Sequence, residues 1–134
     1  AGMAFANAPV AAVHALAYPI GARFHVAHGL SNALVLPHVL RFNAPAAASH
    51  YSELCSILAP KAGGSEESRA RALVDTLSQL TAELGLETRL TQVGIAEKDL
   101  PSLAEDAMKQ TRLLVNNPRD VTYDDALAIY QEAL

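Results

Sequence analysis

His14 and His28 stand fourteen positions apart in the stretch His14-Ala-Leu-Ala-Tyr-Pro-Ile-Gly-Ala-Arg-Phe-His-Val-Ala-His28, and no other segment of the chain gathers residue types so suited to chemistry. A neutral imidazole nitrogen is the commonest protein ligand for a divalent transition metal, and ligands carried on two packed helices are held more firmly than ligands on a loop. A helical run delivers the first histidine, Pro19 and Gly21 interrupt it, and the second histidine opens another apolar run. The two rings are therefore expected to meet across a turn, as half of a metal site. Two ligands rarely close a coordination sphere, because catalytic metals usually take three or four protein ligands and keep room for substrate. Neither His25, His38 nor His50 lies in a spacing such as His-x-x-x-His that would complete the set. The remaining donors are expected from outside the chain. Two satisfied core histidines are the alternative that the residues alone leave open.

The elements that must carry these rings follow from composition and periodicity. The 134 residues suffice for one ordinary domain with its own core. Hydrophobic residues make up 51%, yet aromatics only 5% and Trp is absent, so the core must be built from Ala, Leu and Val, which suits closely packed helices. A net charge of −4 without any basic cluster argues against nucleic acid as a partner. Cys55 is the single cysteine and cannot form an intramolecular disulfide, so it is read as a small buried hydrophobe in a cytoplasmic protein. No charge occurs between Ala1 and Ala22, but Asn7, Pro9, His14, Pro19 and two glycines within that run, with no basic lead-in, fit neither a membrane span nor a signal peptide. No membrane partner is expected. The run reads instead as a helix buried inside a larger protein, of which this chain is expected to be the rear portion.

Apolar positions recur at helical spacing almost throughout, which predicts an all-α, bundle-like fold. A short piece over Gly2 to Ala6 is followed by a helix opening at Asn7, with Pro9 in its first turn and Pro19 as its end. The run from Leu30 to Leu40 predicts a helix kinked at Pro37, and a separate helix runs from Pro45 or Ala46 to Ala59. Ser65 is expected to cap a helix reaching Leu84, with Leu73, Leu77, Leu80 and Leu84 on one apolar stripe and Gly85 ending it. Leu86 to Ile95 reads as an extended connector turning at Gly94. A helix from Asp99 to about Leu114, a turn at Asn116–Arg119 and a last helix opened by a Thr122–Asp125 capping box complete the chain.

Three strings carry a family resemblance: Ala-Gly-Met-Ala-Phe5-Ala-Asn7 followed by His14-Ala-Leu-Ala-Tyr-Pro19-Ile-Gly21; His28-Gly29-Leu-Ser-Asn32-Ala-Leu-Val-Leu-Pro37-His38-Val; and Asn116-Asn-Pro118-Arg119. Together they resemble the signature regions of the iron-containing (group III) alcohol dehydrogenases, whose fold is shared with dehydroquinate synthase-like proteins. The resemblance covers residues 1–134 as the C-terminal helical domain. It implies an N-terminal nucleotide-binding domain, absent from this chain, that holds NAD(P), with the active site in the cleft between the two. It also implies a divalent metal, iron or alternatively zinc, held by one Asp and three His, of which His14 and His28 match the last two. The implied reaction is hydride transfer between NAD(P) and a small alcohol or aldehyde whose carbonyl the metal polarises, carried out by a homo-oligomer.

Phe5 and Tyr18 match substrate-side positions in that resemblance. For Phe5 core packing is an equal alternative, and Tyr18 replaces a histidine that many relatives use in proton movement, so a tyrosine hydroxyl or solvent takes that part here. Of the other histidines, His25 is expected to be polar or solvent-facing near the cleft, His38 a structural hydrogen-bonding residue and His50 exposed. No catalytic residue and no cofactor-binding residue is assigned within the chain. The reading from another class is an isolated helical structural or interaction module without catalysis.

Overall fold

A computed structural model describes residues 2–7 and 9–134, with the side chains of residues 4, 5 and 7 outside that description. Seven α-helices follow one another among the described residues: α1 (Gly2–Asn7), α2 (Ala12–Phe24), α3 (His28–Leu58), α4 (Glu66–Glu83), α5 (Leu100–Met108), α6 (Thr111–Leu114) and α7 (Tyr123–Ala133). Two 3-10 turns, Leu90–Val93 and Glu97–Asp99, join α4 to α5, and no strand occurs among the described residues. The fold is all-α, as the periodicity predicts.

Two apolar clusters hold it together. The larger gathers Ala12, Ala15, Leu16 and Ile20 of α2, Leu34, Val35 and Val39 of α3, Leu103 and Ala107 of α5, and Ala126, Ile129 and Tyr130 of α7. The alanines let backbones approach closely, and Tyr130 fills the space they leave, donating its buried hydroxyl to the Leu16 carbonyl at 2.6 Å. Burial pushes the Tyr130 phenol up, so it stays a neutral donor. The smaller cluster lies between the second half of α3 and α4, around Ala47, Tyr51, Cys55, Ala70 and Leu73. Cys55 is fully buried there, as its sequence context suggested.

The prolines depart from the sequence-based expectation. Pro19 does not end α2 but sits buried inside it, and the helix begins at Ala12 rather than at Asn7, which closes α1. An interior proline costs roughly 3 kcal/mol, yet fully burying Leu16 and Ile20 on either side contributes about 1.5–3 kcal/mol each, so packing wins over propensity. The helix stops at His25 instead, whose left-handed backbone (φ 56, ψ 26) lets its N–H return to the Gly21 carbonyl at 3.1 Å. α3 is two helical pieces continuous across a kink, and the break falls beside the expected second start at Pro45 or Ala46. Pro37 leaves the first piece intact, and the departure from helical geometry falls at Ala47 (φ −122, ψ 15), two residues past Pro45. Val39 packs in the larger cluster and Ala47 in the smaller, so the helix bends where it changes neighbours.

Elsewhere the caps match their sequence signals. Ser65 Oγ accepts from the Ser68 N–H, and Thr122 with Asp125 forms a reciprocal capping box. Gly85 (φ 70) follows α4 and Gly94 (φ 84) closes the first 3-10 turn, which replaces the extended connector because Leu90 and Ile95 both turn into the core. The expected helix from Asp99 to Leu114 is split at Lys109 and Gln110 into α5 and α6. The apolar stripe of α4 is buried only at its start: Leu73 is covered, whereas Leu80 and Leu84 are 47% and 66% exposed.

The Asn116–Arg119 turn acts as a clasp. Asn116 Nδ2 donates to the Val10 carbonyl ahead of α2, and the Asn117 and Asn43 amides donate to each other at 2.7 and 2.9 Å. Arg119 lies 4.0 Å above the Phe42 ring and donates to the Phe42 carbonyl. Asn43 is 4% exposed, so replacing Asn117 by Ala removes both amide–amide hydrogen bonds from a buried side chain and should cost about 1–3 kcal/mol in urea-unfolding stability. A midpoint unchanged from wild type would contradict that role.

At the α2–α5 contact Asp106 accepts from Lys109 and Arg23 at 2.6 Å, and these bonds hold its carboxyl below the usual carboxylate range. A group with a depressed folded pKa contributes stability above its unfolded pKa and loses it as pH falls through the folded one. The stability gap between wild type and Asp106→Asn should therefore narrow as pH drops below about 4, measured by thermal unfolding across pH. A gap that stays constant would contradict it.

Candidate metal centre

The geometry starts in the three-residue link His25–Ala27 between α2 and α3. Ser31, fully buried, donates Oγ toward the carbonyls of Val26 and Ala27 at 3.3 and 3.2 Å, and the Ser31 N–H bonds to the Ala27 carbonyl at 2.9 Å. Gly21 lets the link pass closely, since a Cβ there would lie 3.3 Å from the Val26 carbonyl oxygen. Past Gly21 the link runs back along α2, from its end toward the turns that carry Tyr18 and His14. His28 is the first residue of α3 and His14 lies near the start of α2, one turn before Tyr18.

The three rings meet. His14 and His28 have centroids 5.2 Å apart at an interplanar angle of 55°, Tyr18 is 6.1 Å from His14 in an edge-on arrangement, and Tyr18 is 5.7 Å from His28 at 30°. His14 is half-buried, while His28 and Tyr18 are exposed, so the group opens on the surface. Burial first, and the neighbouring His28 second, pull the His14 pKa below its ordinary value, which favours the neutral ring that a cation requires.

A metal fits this pair by the chemistry of its donors. With nitrogen–metal distances of roughly 2.0–2.1 Å, two imidazoles on one tetrahedral cation have centroids about 5 Å apart, which is the separation found. A third protein ligand is not provided: among the described residues no group of three His, Cys, Asp or Glu side chains could hold a metal ion. Two imidazoles stand side by side at an open face.

The other sequence candidates fall as follows. His25 is exposed and serves α2 through its backbone, outside the ring cluster. His38 is half-buried with Nδ1 3.5 Å from Glu132 Oε2; burial and then Arg41 lower its pKa, and Glu132 offsets part of this. His50 is exposed. The Phe5 side chain lies outside the described residues. Asn32 is the residue that sequence reasoning passed over: its amide approaches His28 from the next turn of α3, and the available signal was a polar side chain four positions after a histidine in an otherwise apolar run.

Comparison with known proteins gives a consistent result. The chain matches the family model described as Fe-containing alcohol dehydrogenase family, C-terminal, over residues 1–134. It is 34% identical to lactaldehyde reductase of Escherichia coli (strain K12) over 134 residues, covering 99% of this chain and 35% of that protein. Identity to long-chain-alcohol dehydrogenase 1 of Geobacillus thermodenitrificans is 40%, over 99% of this chain and 34% of that protein. Among solved structures, 1,3-propanediol oxidoreductase superposes with a TM-score of 0.93 at 31% identity, covering 99% of this chain and 35% of that one. Alcohol dehydrogenase from Oenococcus oeni gives 0.92 at 32% identity, with the same coverage. The chain thus spans about a third of the length of these relatives.

If Tyr18 packs on both imidazoles, Tyr18→Ala should shift the ring-proton NMR resonances of His14 and His28 together and leave those of His50 in place. Unmoved His14 and His28 signals would contradict the cluster.

Proposed function

Because this chain belongs to the Fe-containing alcohol dehydrogenase family and corresponds to its C-terminal domain, we propose that it is the helical, metal-contributing part of an NAD(P)-dependent oxidoreductase acting on a small alcohol or aldehyde. The single observation that carries this reading is the approach of two imidazoles from α2 and α3 to 5.2 Å. His14 and His28 would hold the divalent cation, iron or zinc. A cation held there would supply Lewis-acid polarisation to a substrate oxygen, and a nicotinamide held by the joined domain would supply the hydride chemistry.

The chain's own residues have separate parts. His14, half-buried on α2, gives the fixed donor; His28, exposed at the start of α3, gives the outer one. Tyr18, 40% exposed beside both, offers its ring as a substrate wall and its hydroxyl as a proton-carrying group at the same face. Phe5 is assigned to the substrate side by its motif alone. The remaining metal ligands and the nucleotide site belong to a nucleotide-binding domain joined to this one, in keeping with the third of the relatives' length that the chain spans. A homo-oligomer in the cytoplasm completes the reading, and the unpaired Cys55 agrees with a reducing compartment. Among the described residues no helix is long and apolar enough to cross a membrane.

A second reading has one observation in its favour. With no third ligand among the described residues, the chain on its own is a helical structural or interaction module without catalysis. Calorimetric titration with Zn²⁺ separates the two. Weak binding that either His14→Ala or His28→Ala abolishes, and that His50→Ala preserves, is the expected result. Absence of heat at millimolar zinc would favour the module.

A further inference from the structure

Asn32 lies one helical turn after His28, and its side chain folds back on that residue. Nδ2 is 2.9 Å from the His28 carbonyl oxygen and 3.1 Å from His28 Nε2. A carbonyl oxygen only accepts, so the amide atom facing it is the amino group, which has two hydrogens and no lone pair to offer. One hydrogen goes to the carbonyl and the other is directed at Nε2. Nε2 is then the accepting nitrogen, and a neutral imidazole with an accepting Nε2 carries its proton on Nδ1. Asn32 Oδ1 is buried and finds no hydrogen-bond partner among the described residues, a condition that native structures seldom tolerate without a reason. Turning the amide over would set Oδ1 against the His28 carbonyl, oxygen to oxygen, and so the unsatisfied atom is the consequence of keeping the amino group on His28.

We propose that Asn32 is a positioning residue that fixes the tautomer of His28, holding the proton on Nδ1 and keeping the Nε2 lone pair free of hydrogen. This rests on the reading of His28 as a metal ligand, and it names the nitrogen that ligates. Nε2 exchanges the amide hydrogen for a cation with no proton leaving the ring, while Asn32 keeps its bond to the His28 carbonyl. Tautomers of ligating histidines are usually set through the other ring nitrogen; here the hydrogen bond falls on Nε2 itself, so a cation must displace the amide hydrogen there.

The test is long-range proton–nitrogen NMR of the full 134-residue chain without metal, at a pH alkaline enough for neutral imidazoles, on wild type, Asn32→Ala and Asn32→Asp. Wild-type His28 should be predominantly Nδ1–H. Asn32→Ala should move the tautomer ratio about fivefold toward Nε2–H, the worth of one neutral hydrogen bond. Asn32→Asp, nearly the same shape but accepting where the amide donates, should make Nε2–H predominant even if the alanine variant folds poorly. His50, exposed and remote in sequence, should not change. A wild-type His28 that is mainly Nε2–H, or a tautomer ratio that neither variant moves, would overturn the proposal.

Zinc added to the wild type should perturb Nε2 and leave Nδ1–H in place, and coordination through Nδ1 would overturn the proposal as well. A chain that keeps Nδ1–H on His28 but shows no zinc response upholds the hold of Asn32 on the ring and contradicts the metal reading alone.

Discussion

The close passage of α2 and α3 through a three-residue link is the constraint on which the rest depends. Each component of the link is specific. Gly21 leaves room for the returning backbone, His25 accepts a left-handed conformation to end α2, and Ser31 binds two carbonyls of the link from inside α3. A longer or looser link would let His28 drift from His14, and a ring separation compatible with one cation would be lost. Alanines in the core of α2 serve the same end, since small side chains at positions 12, 15 and 17 let its neighbours close in.

Around that constraint the molecule separates a rigid part from an open one. α2, the first half of α3, α5 and α7 share the larger core, and Tyr130 ties the middle of α2 to α7. The Asn116–Arg119 clasp adds ties to the segment before α2 and to α3 just ahead of its bend. Its hydrogen bonds are the physical content of a motif that the sequence offers only as a turn. The imidazole pair therefore stands on elements of the larger core, while the second half of α3 and α4 share the smaller one and leave Ile57 and Leu84 uncovered.

Legibility in the sequence divides along the same physical line. Signals that act within a few residues were readable: Ser65 and Thr122 as caps, Gly85 and Gly94 as positive-φ positions, and the turn before Pro118. Proline was misleading at 19 and 37, because whether a helix survives an interior proline depends on what its flanking residues bury, and burial is a property of partners distant in sequence. The start of α2 at Ala12 and the split at Lys109 escaped for the same reason. At the site, the histidine pair was legible from residue type and from an intervening turn. Asn32 was not, since its role lies in the direction of an amide, which no spacing encodes.

The claim at the centre is that His14 and His28 serve one cation. Anomalous diffraction from crystals of the chain soaked in zinc measures this directly. A single peak within roughly 2.0–2.1 Å of one ring nitrogen of each histidine is the expected result. Zinc bound to either ring alone, or the two rings turned away from a shared point, would contradict it.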